Sequence, residues 1–265
     1  MDLSQIKMVV TDMDGTLLNS NHEVSERFFD LFQQLRKKGI LFTAASGRQY
    51  NSIVDKLDSI KEDIIVIAEN GALVRERETE LLATPLSPGL KNSLLTKIEA
   101  IEGAHAMLCG KYKAYFDGRS TPFLNELKEY YANFEIYENL NDVSDEIVKI
   151  AVYHNRNAEE FIYPEMKDLE HLVKVKVSGQ HWVDLNHVDA HKGHALGKLM
   201  ERYKLSSSEV MVFGDYNNDL EMLALADYSF AMKNAHPRVK EIAKYSAGGN
   251  NDFGVERVLE RLLDA

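Results

Sequence analysis

Two patterns of apolar and polar residues divide the chain. Toward both ends, short apolar runs alternate with segments that carry apolar residues at helical spacing, which predicts alternating strands and helices. Such alternation is typical of βαβ units, whose strands form a parallel sheet. The strands predicted in these two parts are 7–12, 40–45, 64–68, 209–213 and 228–231. The helices predicted there are 25–38, 49–57, 191–203, 217–225, 236–243 and 252–263, and a hairpin is predicted over 71–83.

The middle of the chain follows a different pattern. Residues 84–89 include two of the five prolines and predict a linker. Beyond them the predicted strands are short and paired, 104–108 with 113–116 and 173–177 with 182–185, which is typical of antiparallel hairpins. We therefore predict an α+β domain in this part of the chain.

Together these patterns predict an α/β protein with two domains. A Rossmann-like parallel-sheet core would be formed by residues 1–83 and 190–265, and an α+β domain of residues 84–189 would be inserted into it.

Composition narrows the class of protein. The net charge of −11 argues against a nucleic-acid-binding protein, which would normally carry a basic face. No apolar stretch approaches the roughly 20 residues that span a bilayer, so no membrane association is expected. The single cysteine, Cys109, excludes an internal disulfide, and the first residues do not resemble a signal peptide. We therefore expect a cytoplasmic protein; its oligomeric state is not readable from the sequence.

Polar residues follow three of the predicted core strands. Asp12 and Asp14 follow the first, Ser46 follows the second, and Asp215 and Asn218 follow strand 209–213. Ligands of open parallel sheets bind outside the carboxyl ends of the strands, so these side chains are expected to converge. Close carboxylates repel each other unless a cation lies between them, and Mg²⁺ prefers oxygen ligands. The pattern predicts a magnesium site at this edge of the sheet.

Each of these residues also has a purely structural interpretation. Asp14 could belong to an ordinary Asp-Gly turn, and Ser46 to a turn or a helix N-cap. Asp219 could cap the helix that follows it. Lys192, at the start of a predicted helix, could be a solvated charge or could neutralise a phosphoryl oxygen.

Two other patterns are rejected as functional motifs. Residues 193–199 resemble a P-loop, but they have one residue too few between the glycines and a leucine in place of Ser or Thr. His187, His191 and His194 are not accompanied by a zinc-binding pattern of cysteines or of His-Glu-x-x-His type.

The motifs, taken in order, resemble those of the haloacid dehalogenase superfamily. The four matching stretches are Asp12-x-Asp14-Gly15-Thr16, Ser46-Gly47-Arg48, Lys192-Gly193 and Gly214-Asp215-x-x-Asn218-Asp219. Residues 68–72, Ala-Glu-Asn-Gly-Ala, and the insert between the second and third motifs resemble its Cof-type sugar-phosphatase branch. This resemblance covers essentially the whole chain, and it implies a cap of type C2 that sets substrate specificity.

The resemblance also implies roles for the motif residues. Asp12 would attack phosphorus and form an aspartyl-phosphate, and Asp14 would act as the general acid and then the general base. Mg²⁺ would be held by Asp12, by the backbone carbonyl of Asp14 and by Asp215. Ser46 and Lys192 would assist catalysis by binding phosphoryl oxygens.

The remaining phosphate ligands implied by the resemblance are Asn218 and the backbone amide of Gly47. The expected substrate is a small phosphorylated metabolite, with sugar phosphates as the default of the branch. A phosphomutase of the same superfamily is the alternative enzyme, and a non-enzymatic phosphoacceptor module of the receiver type is a third interpretation. Receiver modules are about half this length and carry their aspartate at a mid-chain strand, which favours the enzyme.

The insert carries aromatic and cationic residues that are candidate substrate contacts. Trp182 could instead belong to the interior of a strand, and the lysines could be solvated. The candidates are Lys111, Tyr112, Lys113, Arg119, His181 and Trp182.

Overall fold

The computed structural model describes residues 3–120, 123–124 and 134–265. The chain divides into two compact units, one formed by Met1–Leu82 with His191–Ala265 and the other by Ala83–Ala190. Each unit contains its own β-sheet.

Both units contain strands and helices, which are numbered here in chain order. The strands are β1 (Met8–Asp12), β2 (Leu41–Ala45), β3 (Ile65–Ala68), β4 (Leu73–Glu76), β5 (Thr79–Ala83), β6 (Ala104–Gly110), β7 (Ala114–Phe116), β8 (Phe134–Ile136), β9 (Ile147–His154), β10 (Lys174–Gly179), β11 (Trp182–Asn186), β12 (Val210–Gly214), β13 (Tyr228–Ala231) and β14 (Tyr245–Ser246). The α-helices of the described residues are α1 (Glu26–Lys37), α2 (Tyr50–Lys56), α3 (Pro88–Glu99), α4 (Ala158–Phe161), α5 (Tyr163–Met166), α6 (Lys192–Tyr203), α7 (Leu220–Leu225), α8 (Pro237–Ile242) and α9 (Gly254–Leu263).

The sheet of the first unit has the order β14-β13-β12-β1-β2-β3-β4-β5. Its strands are parallel from β14 to β3, and the hairpin strand β4 is antiparallel to β3. The strand β1 lies in the middle, where Asp12 is opposite Ala45 of β2 and Thr11 is opposite Phe213 of β12. All five residues of β1 are buried, as expected for a parallel strand with both faces covered. The predicted α/β class with a parallel-sheet core is confirmed.

Helix α1 shows how the sequence builds this unit. The Ser25 hydroxyl accepts a hydrogen bond from the backbone N–H of Phe28, which caps the helix start. Phe28, Leu31, Phe32 and Leu35 form the buried face, and the ring of Phe28 lies 5.0 Å from that of Phe42 in β2. Gly39 follows with φ +72°, a backbone conformation that glycine adopts without strain and that ends the helix.

The sheet of the second unit has the order β10-β11-β9-β6-β7-β8 and is antiparallel except for the β7–β8 pair. Its central strand β9 is buried along all eight residues, and one apolar core packs Leu94, Leu95 and Ile98 of α3 against the sheet. The linker predicted over 84–89 is wrong at its end, because Ser87 caps α3 and Pro88 is its first residue. Proline suits this first helical position, where no hydrogen bond from its nitrogen is needed.

Among the described residues, no helix combines the length and the apolar character that crossing a membrane requires.

Candidate active site

The site forms where the central strands of the first unit end. Because β1 lies between β2 and β12, the residues that follow these three strands are brought to one edge of the sheet. Lys192, the first residue of α6, reaches the same edge from a different part of the chain.

Lys192 is the buried cation of this edge. Its side chain is fully buried, and Nζ lies 2.5 Å from Oδ1 of Asp12 and 2.7 Å from Oδ1 of Asp219. Burial alone would lower the pKa of Lys192, but the two carboxylates outweigh it and raise the pKa above its usual value. The interpretation of Lys192 as a solvated charge is therefore wrong, because its ammonium group is held between two acidic side chains.

Asp219 holds together the loop after β12. Its Oδ2 accepts hydrogen bonds from the backbone N–H groups of Asp215, at 2.9 Å, and of Tyr216, at 3.1 Å. Its Oδ1 accepts from Lys192, so both oxygens are engaged. The interpretation of Asp219 as a cap of the following helix is wrong, because its side chain bonds backward into the loop and makes no capping hydrogen bond to α7.

The donor set at this edge fits a hard divalent cation. Carboxylate oxygens of Asp12, Asp215 and Asp219 lie within 4.8 Å of one another. Among the residues that the structure describes, none bonds to the buried Oδ2 of Asp12, and the carboxylate of Asp215 has only a 3.4 Å contact from the hydroxyl of Thr16. Asp219 already accepts three hydrogen bonds, so Asp12 and Asp215 are the carboxylates with more lone pairs to offer.

The pKa shifts describe the same excess of negative charge. Burial, together with Asp219 and Asp215, raises the pKa of Asp12 despite the nearby Lys192. Burial, and secondly Asp219, raises the pKa of Asp215 to about 6. A cation placed among these groups would reverse both shifts, because it favours the ionised carboxylates.

Gly15 permits the close approach of the two acidic loops. Its φ is +79°, and a Cβ atom on it would lie 2.3 Å from Oδ2 of Asp215. A residue with a side chain at this position would displace Asp215, which explains on steric grounds why the first motif has glycine here.

The carboxylate of Asp14 has partners of its own, Arg48 and His22. Arg48 donates to both of its carboxylate oxygens, Nε to Oδ2 at 2.7 Å and Nη2 to Oδ1 at 2.6 Å. The Nδ1 atom of His22 lies 3.3 Å from Oδ1. Burial raises the pKa of Asp14, but Arg48 and His22 together outweigh it, so the net pKa is below its usual value. The partners Arg48 and His22 were missed as site residues, although Arg48 stands inside the Ser-Gly-Arg motif.

The remaining predicted phosphate ligands form a second hydrogen-bonded group. The hydroxyl of Ser46 accepts from the backbone N–H of Arg48 at 3.1 Å. Nδ2 of Asn218 donates to Oδ1 of Asn70 at 3.0 Å, and a Cβ atom on Gly47 would lie 3.1 Å from the amide of Asn70. Asn70 thus links Gly47 to Asn218, a contact for which the sequence offered only the Ala-Glu-Asn-Gly-Ala motif.

The candidate contacts of the insert have partners within the second unit. Lys111 pairs with Glu146 at 2.5 Å, and Lys113 pairs with Glu135. Trp182 packs against Tyr153, with ring centroids 5.1 Å apart. This packing agrees with the structural interpretation, in which Trp182 belongs to the interior of the sheet.

The sequence matches the family model of the haloacid dehalogenase-like hydrolases over residues 9–259. The chain therefore belongs to this family, as the four motifs predicted.

Relatives resemble the chain over nearly its whole length. It is 33% identical to the 5-amino-6-(5-phospho-D-ribitylamino)uracil phosphatase YbjI of Escherichia coli K12, covering 97% of this chain and 96% of the relative. The crystal structure of SMU.1108c from Streptococcus mutans UA159 has a TM-score of 0.86 at 30% identity, covering 98% of this chain and all of that chain.

A third comparison concerns the fold. The subclass IIB sugar phosphatase BT4131 of the superfamily has a TM-score of 0.78 at 18% identity, covering 96% of this chain and 98% of that chain, which shows a shared fold. With family and fold in agreement, the resemblance to the Cof-type branch is confirmed, and the chain is a phosphatase of the haloacid dehalogenase-like family.

Proposed function

We propose that the protein is a Mg²⁺-dependent phosphatase of small phosphorylated metabolites and that it works through an aspartyl-phosphate on Asp12. The observation that carries the proposal is the state of the Asp12 carboxylate. Oδ1 is fixed by Lys192 at 2.5 Å, while Oδ2 is buried and accepts no hydrogen bond from any described residue. An oriented carboxylate with one free oxygen is suited to nucleophilic attack on phosphorus.

The residues of the first half-reaction follow from this arrangement. Oδ2 of Asp12 attacks phosphorus, the ester P–O bond breaks, and the leaving alkoxide takes a proton from Asp14. Lys192 neutralises charge on the phosphoryl oxygens and on Asp12, because its ammonium group already lies at the nucleophile. Asp14 must turn from Arg48 to reach the leaving group. Away from this guanidinium, burial raises its pKa and favours the protonated acid that the step requires, so we assign its present contacts to a resting arrangement.

The second half-reaction reverses the roles of the proton carrier. Asp14, now ionised, accepts a proton from water as the water attacks phosphorus, and the bond from phosphorus to Asp12 breaks. Inorganic phosphate leaves, and both carboxyl groups return to their starting states. The alcohol and phosphate together contain the atoms of the ester and one water molecule.

The proposed magnesium ligands are Asp215, the backbone carbonyl of Asp14 and Oδ1 of Asp12, which keeps a lone pair beside its bond to Lys192 and leaves Oδ2 for the attack. The bound ion would supply charge neutralisation for the phosphoryl oxygens and the acidic side chains. Ser46, the amide of Gly47, Lys192 and Asn218 are the proposed ligands of the phosphoryl group, and burial of Asp12 and Lys192 keeps water from weakening these interactions.

Residues 83–190 are proposed as the substrate-specificity domain. The relative YbjI is named for a phosphorylated ribityl compound, and BT4131 is named as a sugar phosphatase. These names support a phosphorylated polyol or sugar as the substrate class of this chain.

A panel of phosphorylated sugars, polyol phosphates and 5-amino-6-(5-phospho-D-ribitylamino)uracil tests the proposal. Phosphate release should depend on Mg²⁺, should be lost in Asp12→Asn and should be strongest for one polyol or sugar ester. Rapid acid quenching with ³²P-labelled substrate, followed by peptide mapping, should locate the label on Asp12. No phosphate release from any member, or labelling of another residue, would contradict it. An isomerised phosphate ester without phosphate release would identify the phosphomutase alternative.

A further inference from the structure

Asn70 lies in a loop whose backbone is unusual and whose neighbours are the proposed phosphate ligands. Three consecutive residues have positive φ: Glu69 at +50°, Asn70 at +57° and Gly71 at +100°. Non-glycine residues rarely adopt this conformation, and asparagine tolerates it better than most. Strained backbone of this kind persists where the surrounding structure holds it, and it clusters at functional sites.

Hydrogen bonds tie this loop to the second motif. The backbone N–H of Asn70 donates to the carbonyl of Ser46 at 3.0 Å, and that of Glu69 donates to the carbonyl of Arg48 at 3.0 Å. Gly71 passes so close to the start of α6 that a Cβ atom on it would lie 2.4 Å from the carbonyl oxygen of His191. The loop therefore contacts both the Ser-Gly-Arg turn and the segment that carries Lys192.

The side chain of Asn70 adds a contact to the fourth motif. Its Oδ1 accepts from Nδ2 of Asn218 at 3.0 Å, and its amide lies 3.1 Å from the position that a Cβ atom on Gly47 would take. A side-chain amide has two N–H donors, so this bond fixes the plane of the Asn218 amide and leaves its second donor for another acceptor.

We propose that Asn70 is a positioning residue of the phosphate site, which orients the amide of Asn218 so that its second N–H points at a phosphoryl oxygen. The inference rests on the proposed function, in which Asn218 binds the phosphoryl group. Asn70 acts through Asn218 and does not touch the substrate itself. If it only had to adopt a left-handed backbone, glycine would serve equally well, and this distinction makes the inference testable.

A double-mutant cycle on Asn70→Gly and Asn218→Ala separates the two roles. Glycine keeps the left-handed backbone without strain and removes only the side chain. Binding of inorganic phosphate in the presence of Mg²⁺, measured by titration calorimetry, should weaken roughly three- to tenfold in Asn70→Gly, the fold-change that corresponds to one hydrogen bond. In the Asn218→Ala background, Asn70→Gly should cause no further loss, because the group that it orients is already absent.

Lys204→Gly is the matched control. Lys204 also has a left-handed backbone, at φ +54°, but it is an exposed residue at the C-terminus of α6. This variant should melt like Asn70→Gly and should bind phosphate like the wild type. Unchanged phosphate binding in Asn70→Gly, or equal losses in the two Asn218 backgrounds, would overturn the inference.

The bond between Asn70 and Asn218 can also be tested in the wild-type protein, so that this test does not depend on the folding of a variant. One side-chain amide proton of Asn218 should be shifted downfield and exchange slowly with water in NMR spectra, since it is bonded to Asn70. Fast exchange of both protons would overturn the inference. A wild-type protein that hydrolyses no phosphate ester would instead refute the proposed function, before any variant is compared.

Discussion

Each unit of the molecule buries a lysine beside an aspartate, and the differences between the two pairs distinguish a candidate catalytic pair from a structural one. In the first unit, Lys192 lies 2.5 Å from Asp12 and 2.7 Å from Asp219. In the second, Lys149 of β9 lies 3.8 Å from Asp184 of the neighbouring strand β11. All of these side chains are at least nine-tenths buried.

The position in the sheet distinguishes the two pairs. Asp12 is the last residue of its strand and has one oxygen to which no residue in the described part of the chain donates, whereas Asp184 lies in the interior of β11. A buried charge pair by itself says little about function, because structural pairs are also buried. A pair at the carboxyl end of parallel strands with a spare oxygen is a candidate for catalysis.

The strongest test of this difference is to neutralise both aspartates. Asp12→Asn should abolish phosphate release, by a factor on the order of 10⁶ if it removes a covalent nucleophile. Asp184→Asn, the matched variant in the second unit, should keep turnover of a phenolic phosphate ester within a fewfold. Steady-state assays on contaminant-free protein check both, and comparable losses would mean that the two pairs are not functionally distinct.

Asp14→Asn sharpens the assignment within the first unit. Loss of the general acid should slow hydrolysis of a sugar phosphate by about 10²–10⁴-fold, because its alkoxide needs a proton to leave. A phenolic ester should be less affected, since phenolate leaves without help. The ratio of kcat values on the two esters is the readout. Equal losses on both would indicate that Asp14 serves the metal site and not the leaving group.

Replacing each lysine shows how much each pair contributes to the free energy of unfolding. Lys192→Met leaves two buried carboxylates without their cation, and breaking a buried pair in this way costs about 3–5 kcal/mol of unfolding free energy. Lys149→Met should cost less, because its ion pair is longer. Urea unfolding curves at neutral pH give both values. Addition of Mg²⁺ should restore part of the loss in Lys192→Met only; equal recovery in both variants would contradict the difference.

The smallest expected effect is a pH dependence of magnesium binding. The pKa of Asp215 is raised to about 6, so the carboxyl is protonated below that pH and ionised above it. The contribution of Asp215 to the stability of the metal-free protein should therefore decrease as pH rises from about 4 to about 6, since this carboxyl ionises first in the unfolded chain. Calorimetric Mg²⁺ affinity should fall up to about tenfold per pH unit below 6. Asp215→Asn should bind Mg²⁺ weakly at all pH values, and a similar pH slope in that variant would exclude Asp215 as its origin.

The first unit could be predicted closely because its elements follow from local patterns. The strand tips at Asp12, Ser46 and Asp215 were predicted from apolar runs that end in polar residues, and their meeting follows from the parallel order of β2, β1 and β12. The hydrogen bonds of Arg48 to Asp14 and of Asn70 to Asn218 could not be predicted, because they join side chains whose separation in sequence carries no periodic signal.

The second unit was predicted less well for physical reasons. Strand β9 reads Ile-Val-Lys-Ile-Ala-Val-Tyr-His and is buried on both faces, so it lacks the alternation that marks a strand with one exposed face. The short strand β8 pairs in parallel with β7, and parallel strands are not joined by a tight turn that could be recognised in the sequence.

The pairing of β1 with β12 has a consequence for how the protein folds during its synthesis. Met8 pairs with Val210, a residue that the ribosome adds only after the whole of the second unit. On the ribosome, the edge of β1 that pairs with β12 stays unpaired until then, whereas β2 and β3, on the other side of β1, are already available. A nascent chain stalled before α6 contains Asp12 but neither Lys192 nor Asp219. Asp12 therefore gains its cationic partner only after the second unit has been synthesised, and a chain stalled before that point lacks the Lys192 pair.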